Sequence, residues 1–462
     1  MNAHSIAKIT DGTLIGNPDA EVIRGRADSR LCRAGDLFVA LEGEQSDGSR
    51  YIEPAWELGA EVALADEAKN LPMPPDSKAL VMVHDPLHSL QYLASYLRGK
   101  MPELRVVGIT GSNGKTTTKE ILAAILLDWK EDSILITEGN YNSDIGLPLT
   151  LLGLRRHHEI AVLEMGTNKQ GEIALLAGIA RPEIGLVTNI GSAHIGRLGS
   201  MEALASEKRD IFSAAGPDTV AIINKTEVWR NFLLINFPGR TRFFGEWGRD
   251  GWESYENRGT EGFLLLRNGR HINFALPGYH NLLNAMGAVE AANVLGVPEN
   301  SIARGLEAVR PEFNRSEIRN GPVILVRDAY NANPESLMAA LDMVSKIRVD
   351  GRRVVVLGEL LELEGHTDRA LNIVGRVLAK HEPDSVFLFG NSLSPVREAA
   401  LNAGFDGEIS SYLEIDELGK ALSGYLKPGD LVLLKGSRKN ALERLSEAVE
   451  EIGFDQAAEQ RW

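Results

Sequence analysis

The sequence predicts an α/β protein of three domains, two of them built around parallel sheets. The first indication is an apolar run, residues 106–110, that leads into Gly111-Ser-Asn-Gly-Lys-Thr-Thr-Thr118 and then a helical pattern over 119–127. Strand, glycine-rich loop and helix, in that order, form the context of a phosphate-binding loop. The second is the alternation of apolar runs with helical segments on both sides of this motif, the rhythm of a parallel sheet covered on both faces. The third is length, since 462 residues accommodate roughly three domains.

Residues 1–100 hold short β-like runs at 37–41, 62–65 and 80–83 and a helical pattern at 89–98, with a proline-rich loop at 71–75. Lys100-Met-Pro102 marks a boundary. A central unit, 101–311, carries apolar runs at 106–110, 134–137, 160–165, 184–190 and 220–224. Its Gly- and aromatic-rich stretch 244–262 is expected to form loops and hairpins. Residues 281–295 are expected to form a helix that ends at Gly296-Val-Pro298. The third unit, 312–462, repeats the alternation with runs at 323–327, 354–357, 386–389 and 431–434, a second and Rossmann-like α/β sheet. Open sheets of this kind bind ligands beyond the carboxyl ends of their strands. The residues that follow each strand are therefore the candidates for chemistry.

Composition narrows the function. The chain is 44% hydrophobic and 24% charged, ordinary for a globular protein. A net charge of −15 argues against a nucleic-acid or membrane-surface partner, but not against a local anion site. The one cysteine, Cys32, excludes an intrachain disulfide and a Cys-based zinc site. With no apolar leader among the first residues, a reducing cytoplasm is expected. The longest stretch free of Asp, Glu, Lys and Arg, residues 271–289, contains His, Asn and Pro, so no membrane insertion is expected.

The phosphate loop makes the central sheet that of a P-loop ATPase. Gly111 and Gly114 let backbone N–H groups of Ser112, Asn113 and Thr117 approach an anion at a helix N-terminus. Lys115 would reach the β- and γ-phosphates of ATP, and the Thr116 hydroxyl would sit on Mg²⁺. The spacing departs from the usual loop, because Ile109 stands where its first glycine belongs. Glu164, at the end of a neighbouring strand, suits Mg²⁺ when paired with this loop, although a strand-end carboxylate also serves as a helix cap or surface charge. His194 follows the next strand and suits either a metal or a hydrogen-bonded loop. Lys208, in Ser206-Glu-Lys-Arg-Asp210, has the pattern of a solvated helix face. Asn281 would cap a helix or reach a base edge. Asp328-Ala-Tyr-Asn331 suits ribose or base contacts, or a turn. Lys435-Gly-Ser-Arg438 offers cations to a carboxylate or phosphate, or is ordinary loop chemistry.

In order along nearly the whole chain, these motifs resemble the Mur ligase family. The signals begin with Asp28-Ser-Arg30, the segment 35–41, the loop 111–118, Gly139-Asn-Tyr-Asn142 and Ile145-Gly-Leu-Pro148. They continue with Glu164-Met-Gly166, Asn189-Ile-Gly191 with His194, His280-Asn281, Asp328-Ala-Tyr-Asn-Ala-Asn-Pro334 and Lys435-Gly-Ser-Arg438. The resemblance implies ATP-dependent peptide-bond formation through an acyl phosphate. It implies Mg²⁺ on Thr116 and Glu164, with a second ion on His194 and a carbamylated lysine at Lys208. Asn281 and Arg315 would contact adenine, and Asp328 the ribose. Ser29 and Arg30 would grip a UDP moiety, with Asn140, Asn142, Tyr330, Asn331 and Lys435 as further substrate contacts. Within the family the motifs fit the branch that adds D-alanyl-D-alanine to UDP-N-acetylmuramoyl-tripeptide, acting as a monomer. The chain departs from relatives at Ser49, where His is usual, at Ser143, where Asn is frequent, and at 358–362. The alternatives are a ligase adding the third stem-peptide residue, a folylpolyglutamate synthase-like ligase, and a nucleotide-gated binding module without ligase activity.

Overall fold

The computed structural model describes residues 1–43, 46–361, 363 and 365–452. Four sheets follow one another along the chain. The first contains β1 (Thr13–Gly16), β2 (Arg24–Arg26), β3 (Asp36–Val39), β4 (Ala60–Asp66) and β5 (Ala79–Val83), in the order β1-β5-β4-β3-β2. Only β1 runs antiparallel to its neighbour. The helix Pro86–Gly99 covers it, with the N-cap Asp85 carboxylate accepting from the His88 N–H and Pro86 at the first helical position.

The second sheet is wholly parallel: β6 (Arg105–Thr110), β7 (Ile134–Ile136), β8 (Ile160–Glu164), β9 (Ile184–Val187), β10 (Val220–Asn224) and β11 (Arg240–Phe244). Its order, β11-β10-β9-β6-β8-β7, sets β6 between β8 and β9. The loop leaving β6 is therefore flanked by the ends of both neighbours, which is what places the site. The strand expected at 184–190 stops at Val187, because Thr188 and Asn189 turn aside to bond the phosphate loop. The stretch 244–262 contributes β12 (Trp252–Asn257), which with β13 (Phe263–Arg267) and β14 (Arg270–Phe274) makes a small antiparallel sheet. The expected helix at 281–295 is Tyr279–Leu295, and Gly296 closes it in the left-handed conformation.

The last sheet comprises β15 (Glu317–Arg319), β16 (Ile324–Asp328), β17 (Arg353–Gly358), β18 (Ser385–Phe389), β19 (Glu408–Tyr412) and β20 (Leu431–Lys435), ordered β15-β16-β20-β17-β18-β19. All but β15 are parallel. β15 and β19 escaped the sequence pattern because they are short or partly exposed edge strands with little apolar content. Hydrophobic clusters pack on both faces of this sheet and of the central one, as parallel sheets require. Among the described residues, no helix is long and apolar enough to cross a membrane.

The helix Lys115–Lys130 behind the phosphate loop packs tightly on Glu299–Ala308. A Cβ at Gly305 would come within 2.4 Å of Ile125 Cα and 2.7 Å of Ile125 N. Backbone cannot yield as a side chain can, so Gly305→Val is expected to destabilise the chain by about 3 kcal/mol. Urea unfolding should show a lower midpoint; an unchanged midpoint would contradict this packing.

Candidate active site

The ends of β6, β8, β9, β16 and β20 open on one cavity of about 460 Å³ between the central and C-terminal sheets. On the central side the loop 111–114 needs glycine at two places. Gly111 has φ +145°, and a Cβ there would lie 1.9 Å from Thr188 Oγ1. Gly114 has φ +81°, and a Cβ would lie 2.3 Å from Asn284 Oδ1. The loop is pinned from β9. Ser112 N donates to the Asn189 carbonyl and Asn113 N to Asn189 Oδ1, each at 3.0 Å. Thr188 Oγ1 and Asn189 Nδ2 donate to the Asn113 carbonyl at 2.6 and 2.9 Å. The loop is thus held open by side chains of its neighbour rather than by its own bonds.

Lys115 begins the helix and folds back so that Nζ donates to the Gly111 carbonyl at 2.8 Å. Desolvation lowers its pKa, while Glu164 pulls it upward and Arg315 opposes. Thr116 is buried at the cavity wall. Glu164 is buried as well, which overturns the helix-cap and surface-charge readings. Its Oε1 accepts from Asn142 Nδ2 at 2.7 Å, and its buried Oε2 has no hydrogen-bond partner among the described residues. His194 lines the cavity in the left-handed conformation, φ +64°, an uncommon backbone state for a non-glycine residue.

Lys208 corrects the expectation of a solvated helix face. It is only 1% exposed. In the helix Met201–Arg209 it shares the inner face with Leu204, four residues before, and Ala205, three before. That i, i+4 spacing was the available signal, hidden by the charged residues around it. Its Nζ has no hydrogen-bond partner among the described residues, and burial together with the nearby Lys115 charge drives its pKa far down. The preceding Glu207 points elsewhere, accepting from the N–H groups of Gly171 and Ile173 at 2.7 and 2.8 Å.

From the C-terminal side, the parallel register sets Asp328 directly opposite Lys435. The buried Lys435 Nζ donates to Asp328 Oδ2 and to the Asn331 carbonyl, both at 2.8 Å. Asp328 Oδ1 accepts from Ser316 N at 3.2 Å. The Arg315 guanidinium lies 3.8 Å over the Tyr330 ring and pairs with Glu312 at 3.0 Å. Asn281 does not cap its helix, whose N-cap is Gly278. It sits buried in the first turn, with Nδ2 donating to the Pro277 carbonyl at 2.7 Å. Ser437 is occupied structurally, its Oγ donating to the Glu359 carbonyl at 2.8 Å.

Of the candidates, Ser112 through Thr117, Asn142, Glu164, His194, Asn281, Arg315, Asp328, Tyr330, Asn331 and Lys435 line the cavity. Ser29, Arg30, Gly111, Asn140 and Lys208 do not. Ser29 is buried in a short 3-10 turn of the first domain, and Arg30 is exposed and paired with Asp28 at 2.7 Å. Two contacts between the units were not anticipated. Asn113 and Asn333 exchange amide hydrogen bonds at 2.8 and 3.4 Å. Ser192 N and Oγ donate to the two carboxylate oxygens of Glu335 at 3.1 and 2.7 Å. The only signal was the N-cap pattern Asn333-Pro-Glu-Ser336, which announces a helix start but not its neighbour. Ser49 and Ser143, the departures from the family pattern, make local hydrogen bonds within their own turns. Ser49 donates to Asp47, and Ser143 Oγ accepts from Ile145 N and Gly146 N. Glu362 lies outside the described residues.

A hard dication suits this set. Thr116 and Glu164 offer oxygen donors at a phosphate loop, and the unpartnered Glu164 Oε2 is a donor in need of a cation. No group of three or more His, Cys, Asp or Glu side chains able to hold a metal occurs among the described residues. Mg²⁺ takes one or two carboxylates and completes its shell with water and phosphate oxygens. An ammonium at Lys208 does not suit a cation unless its charge is removed or inverted.

Comparison with known proteins agrees with this geometry. Residues 26–98 match the Mur ligase family catalytic domain, 109–292 the Mur ligase middle domain, and 313–438 the Mur ligase glutamate ligase domain. The chain is 35% identical over 452 residues, 96% of each chain, to the UDP-N-acetylmuramoyl-tripeptide–D-alanyl-D-alanine ligase of Bacillus subtilis. A crystal structure of MurF from Acinetobacter baumannii superposes with a TM-score of 0.86 at 30% identity, covering 97% of this chain and 98% of that one. MurF ligase from Thermotoga maritima in complex with ADP superposes with a TM-score of 0.77 at 27% identity, covering 93% and 97%.

The loop geometry makes a direct prediction. Gly114→Ala combines a left-handed alanine with a clash against Asn284, and should weaken binding of a non-hydrolysable ATP analogue at least about tenfold, since the backbone penalty alone is about 1–2 kcal/mol. Adding Asn284→Ala removes the clash but not the backbone cost, so calorimetry should show partial recovery. Unchanged affinity in Gly114→Ala would contradict the loop geometry.

Proposed function

The chain belongs to the Mur ligase family, and from that premise we propose that it joins D-alanyl-D-alanine to UDP-N-acetylmuramoyl-tripeptide in peptidoglycan precursor synthesis. The reaction consumes ATP, forms ADP and passes through an acyl phosphate. One observation carries the reading: a phosphate loop on one sheet and the Asp328–Lys435 pair on another face a single cavity, in a chain matched over nearly its whole length by ligases of that name.

Residues 1–100 take the UDP end of the substrate through Ser29 and Arg30, residues 101–311 hold ATP, and residues 312–462 close over it. The 111–117 loop cradles the phosphates. Lys115 exchanges its bond to the Gly111 carbonyl for the β- and γ-phosphate oxygens and neutralises charge on the transferring group. Arg315, Asn281 and Asp328 hold the adenosine, with Asp328 fixed from behind by Lys435. Asn140, Asn142, Tyr330, Asn331 and Lys435 orient the two peptide substrates. The tripeptide carboxylate attacks the γ-phosphorus and ADP leaves. The amine of D-alanyl-D-alanine then attacks the acyl carbon, and the tetrahedral intermediate collapses with loss of inorganic phosphate. Docking of the C-terminal unit through Asn333 and Glu335 excludes water that would hydrolyse the acyl phosphate.

Thr116 and Glu164 would hold Mg²⁺, with His194 and a modified Lys208 at a second ion, and the metal would supply charge neutralisation and alignment of phosphate oxygens. The buried, uncharged Lys208 amine is the form that attacks CO₂. The resulting carbamate, after loss of a proton, turns a cation into the anion this position requires. The enzyme is taken to act as a monomer, in the cytoplasm where ATP is available.

Phosphate release should require ATP, Mg²⁺, UDP-N-acetylmuramoyl-tripeptide and D-alanyl-D-alanine together, and fall about 10²–10³-fold in Lys115→Ala. Full activity in that variant would sink the phosphate-loop assignment. Product mass should show the dipeptide added; a single amino acid added instead would move the chain to the branch that builds the third residue.

Lys208→Ala should lose about 10²-fold or more in turnover, and added short carboxylic acids should restore part of it by replacing the carbamate. Arg at 208 should not rescue, because its charge is fixed. Rescue by Arg, or full activity in the alanine variant, would return Lys208 to a packing role.

A further inference from the structure

The phosphate-loop helix carries a second buried lysine that no step above uses. Lys119 lies one turn beyond Lys115 and its side chain is fully buried. Its Nζ donates to the carbonyls of Thr137 at 3.0 Å and Gly139 at 3.4 Å, and pairs with Glu120 Oε1 at 2.6 Å. Burying an ammonium is costly, and an apolar side chain would fill the same space without that cost. What the ammonium holds is therefore informative.

It holds one side of the segment 137–142. The other side of that segment touches β8, where Thr137 N donates to the Val162 carbonyl at 3.0 Å, and the end of β8 at three further points. Glu164 N donates to Thr137 Oγ1 at 3.1 Å, Asn142 Nδ2 donates to Glu164 Oε1 at 2.7 Å, and Gly166 N donates to the Asn142 carbonyl at 2.8 Å. The first domain reaches the same segment, with Arg26 3.4 Å from Glu138. Segment 137–142 has little regular structure of its own beyond Ile136, so its position depends on these contacts.

We propose that Lys119 is a positioning residue: it clamps segment 137–142 to the phosphate-loop helix so that Asn142 fixes one carboxylate oxygen of Glu164 and leaves the other for the cation. The helix that carries the phosphate-binding lysine thereby also sets the carboxylate on the neighbouring strand, through a segment that neither forms the loop nor belongs to β8. The consequence at the cation rests on the reading of Glu164 as a Mg²⁺ donor; the clamp itself does not.

The test uses the full chain with Lys119→Met, a substitution of similar length without charge. Hydrogen–deuterium exchange of segment 137–142 should quicken about tenfold, as loss of its anchoring bonds implies, while other peptides of the central unit keep their wild-type rates. A non-hydrolysable ATP analogue without Mg²⁺ should bind within about twofold of wild type, while the affinity gained on adding Mg²⁺ should fall about tenfold, the usual scale for losing an outer-shell partner. Exchange that is unchanged in 137–142, or faster throughout the central unit, overturns the proposal. Local exchange with an intact Mg²⁺ gain overturns the coupling to Glu164 and so the proposal. A wild-type chain that shows no Mg²⁺ gain fails the metal reading alone, and the exchange of segment 137–142 in Lys119→Met then decides the clamp. Should Lys119→Met not fold, Thr137→Val carries the test, since it removes the acceptor for Glu164 N from the same segment. It should show the same local exchange and reduced Mg²⁺ gain, and wild-type behaviour in it overturns the proposal.

Discussion

Two buried lysines lie near enough for the charge of one to act on the other, and neither is well solvated. Lys115 and Lys208 each have their pKa lowered by desolvation, and the charge of Lys115 lowers Lys208 further. At short range in a low dielectric this repulsion is large compared with the net stability of a domain. The fold tolerates the pair because each has an exit. Lys115 shares its proton density with loop carbonyls and gains polyphosphate when nucleotide binds. Lys208 has no hydrogen-bond partner among the described residues, and burial with the Lys115 charge favours its neutral form. Of the nearby acids, Glu207 is committed to the turn at Gly171 and Glu164 in part to Asn142.

The same constraint explains why the cavity is built between two sheets. A single sheet edge would leave the phosphates in water, where the lysines lose most of their effect. The C-terminal unit encloses the phosphate loop by polar contacts, Asn113 with Asn333 and Ser192 with Glu335, backed by Ile195 and Leu204 packing into the C-terminal core. Hydrogen bonds of this kind are worth about 0.5–1.5 kcal/mol each, enough to hold a closed form and weak enough to let substrates enter. Relative motion is the ordinary behaviour of units joined through such an interface.

Much of this was legible in the sequence, and the failures have physical causes. The parallel strands announced themselves because they are buried on both faces, as in residues 220–224 and 431–434. The phosphate loop was visible despite Ile109, because Gly111 and Gly114 are the positions where backbone conformation and close approach demand glycine. Edge strands such as Glu408–Tyr412 were missed, since an edge strand needs no continuous apolar run. Lys208 was misread because charged neighbours mask a one-sided burial that only the inner face at Leu204 and Ala205 betrays. Glu335 and Asn333 were invisible for a different reason. Their meaning lies in partners more than a hundred residues away, and local pattern carries no such distance.

The account turns on Lys208 resolving its charge conflict as a carbamate. Carbon-13 NMR of the full chain equilibrated with ¹³C-bicarbonate at neutral pH addresses this directly. The account predicts one carbamate carbonyl resonance that vanishes in Lys208→Ala. An active wild-type enzyme with no such resonance, or a resonance that survives in Lys208→Ala, would contradict it.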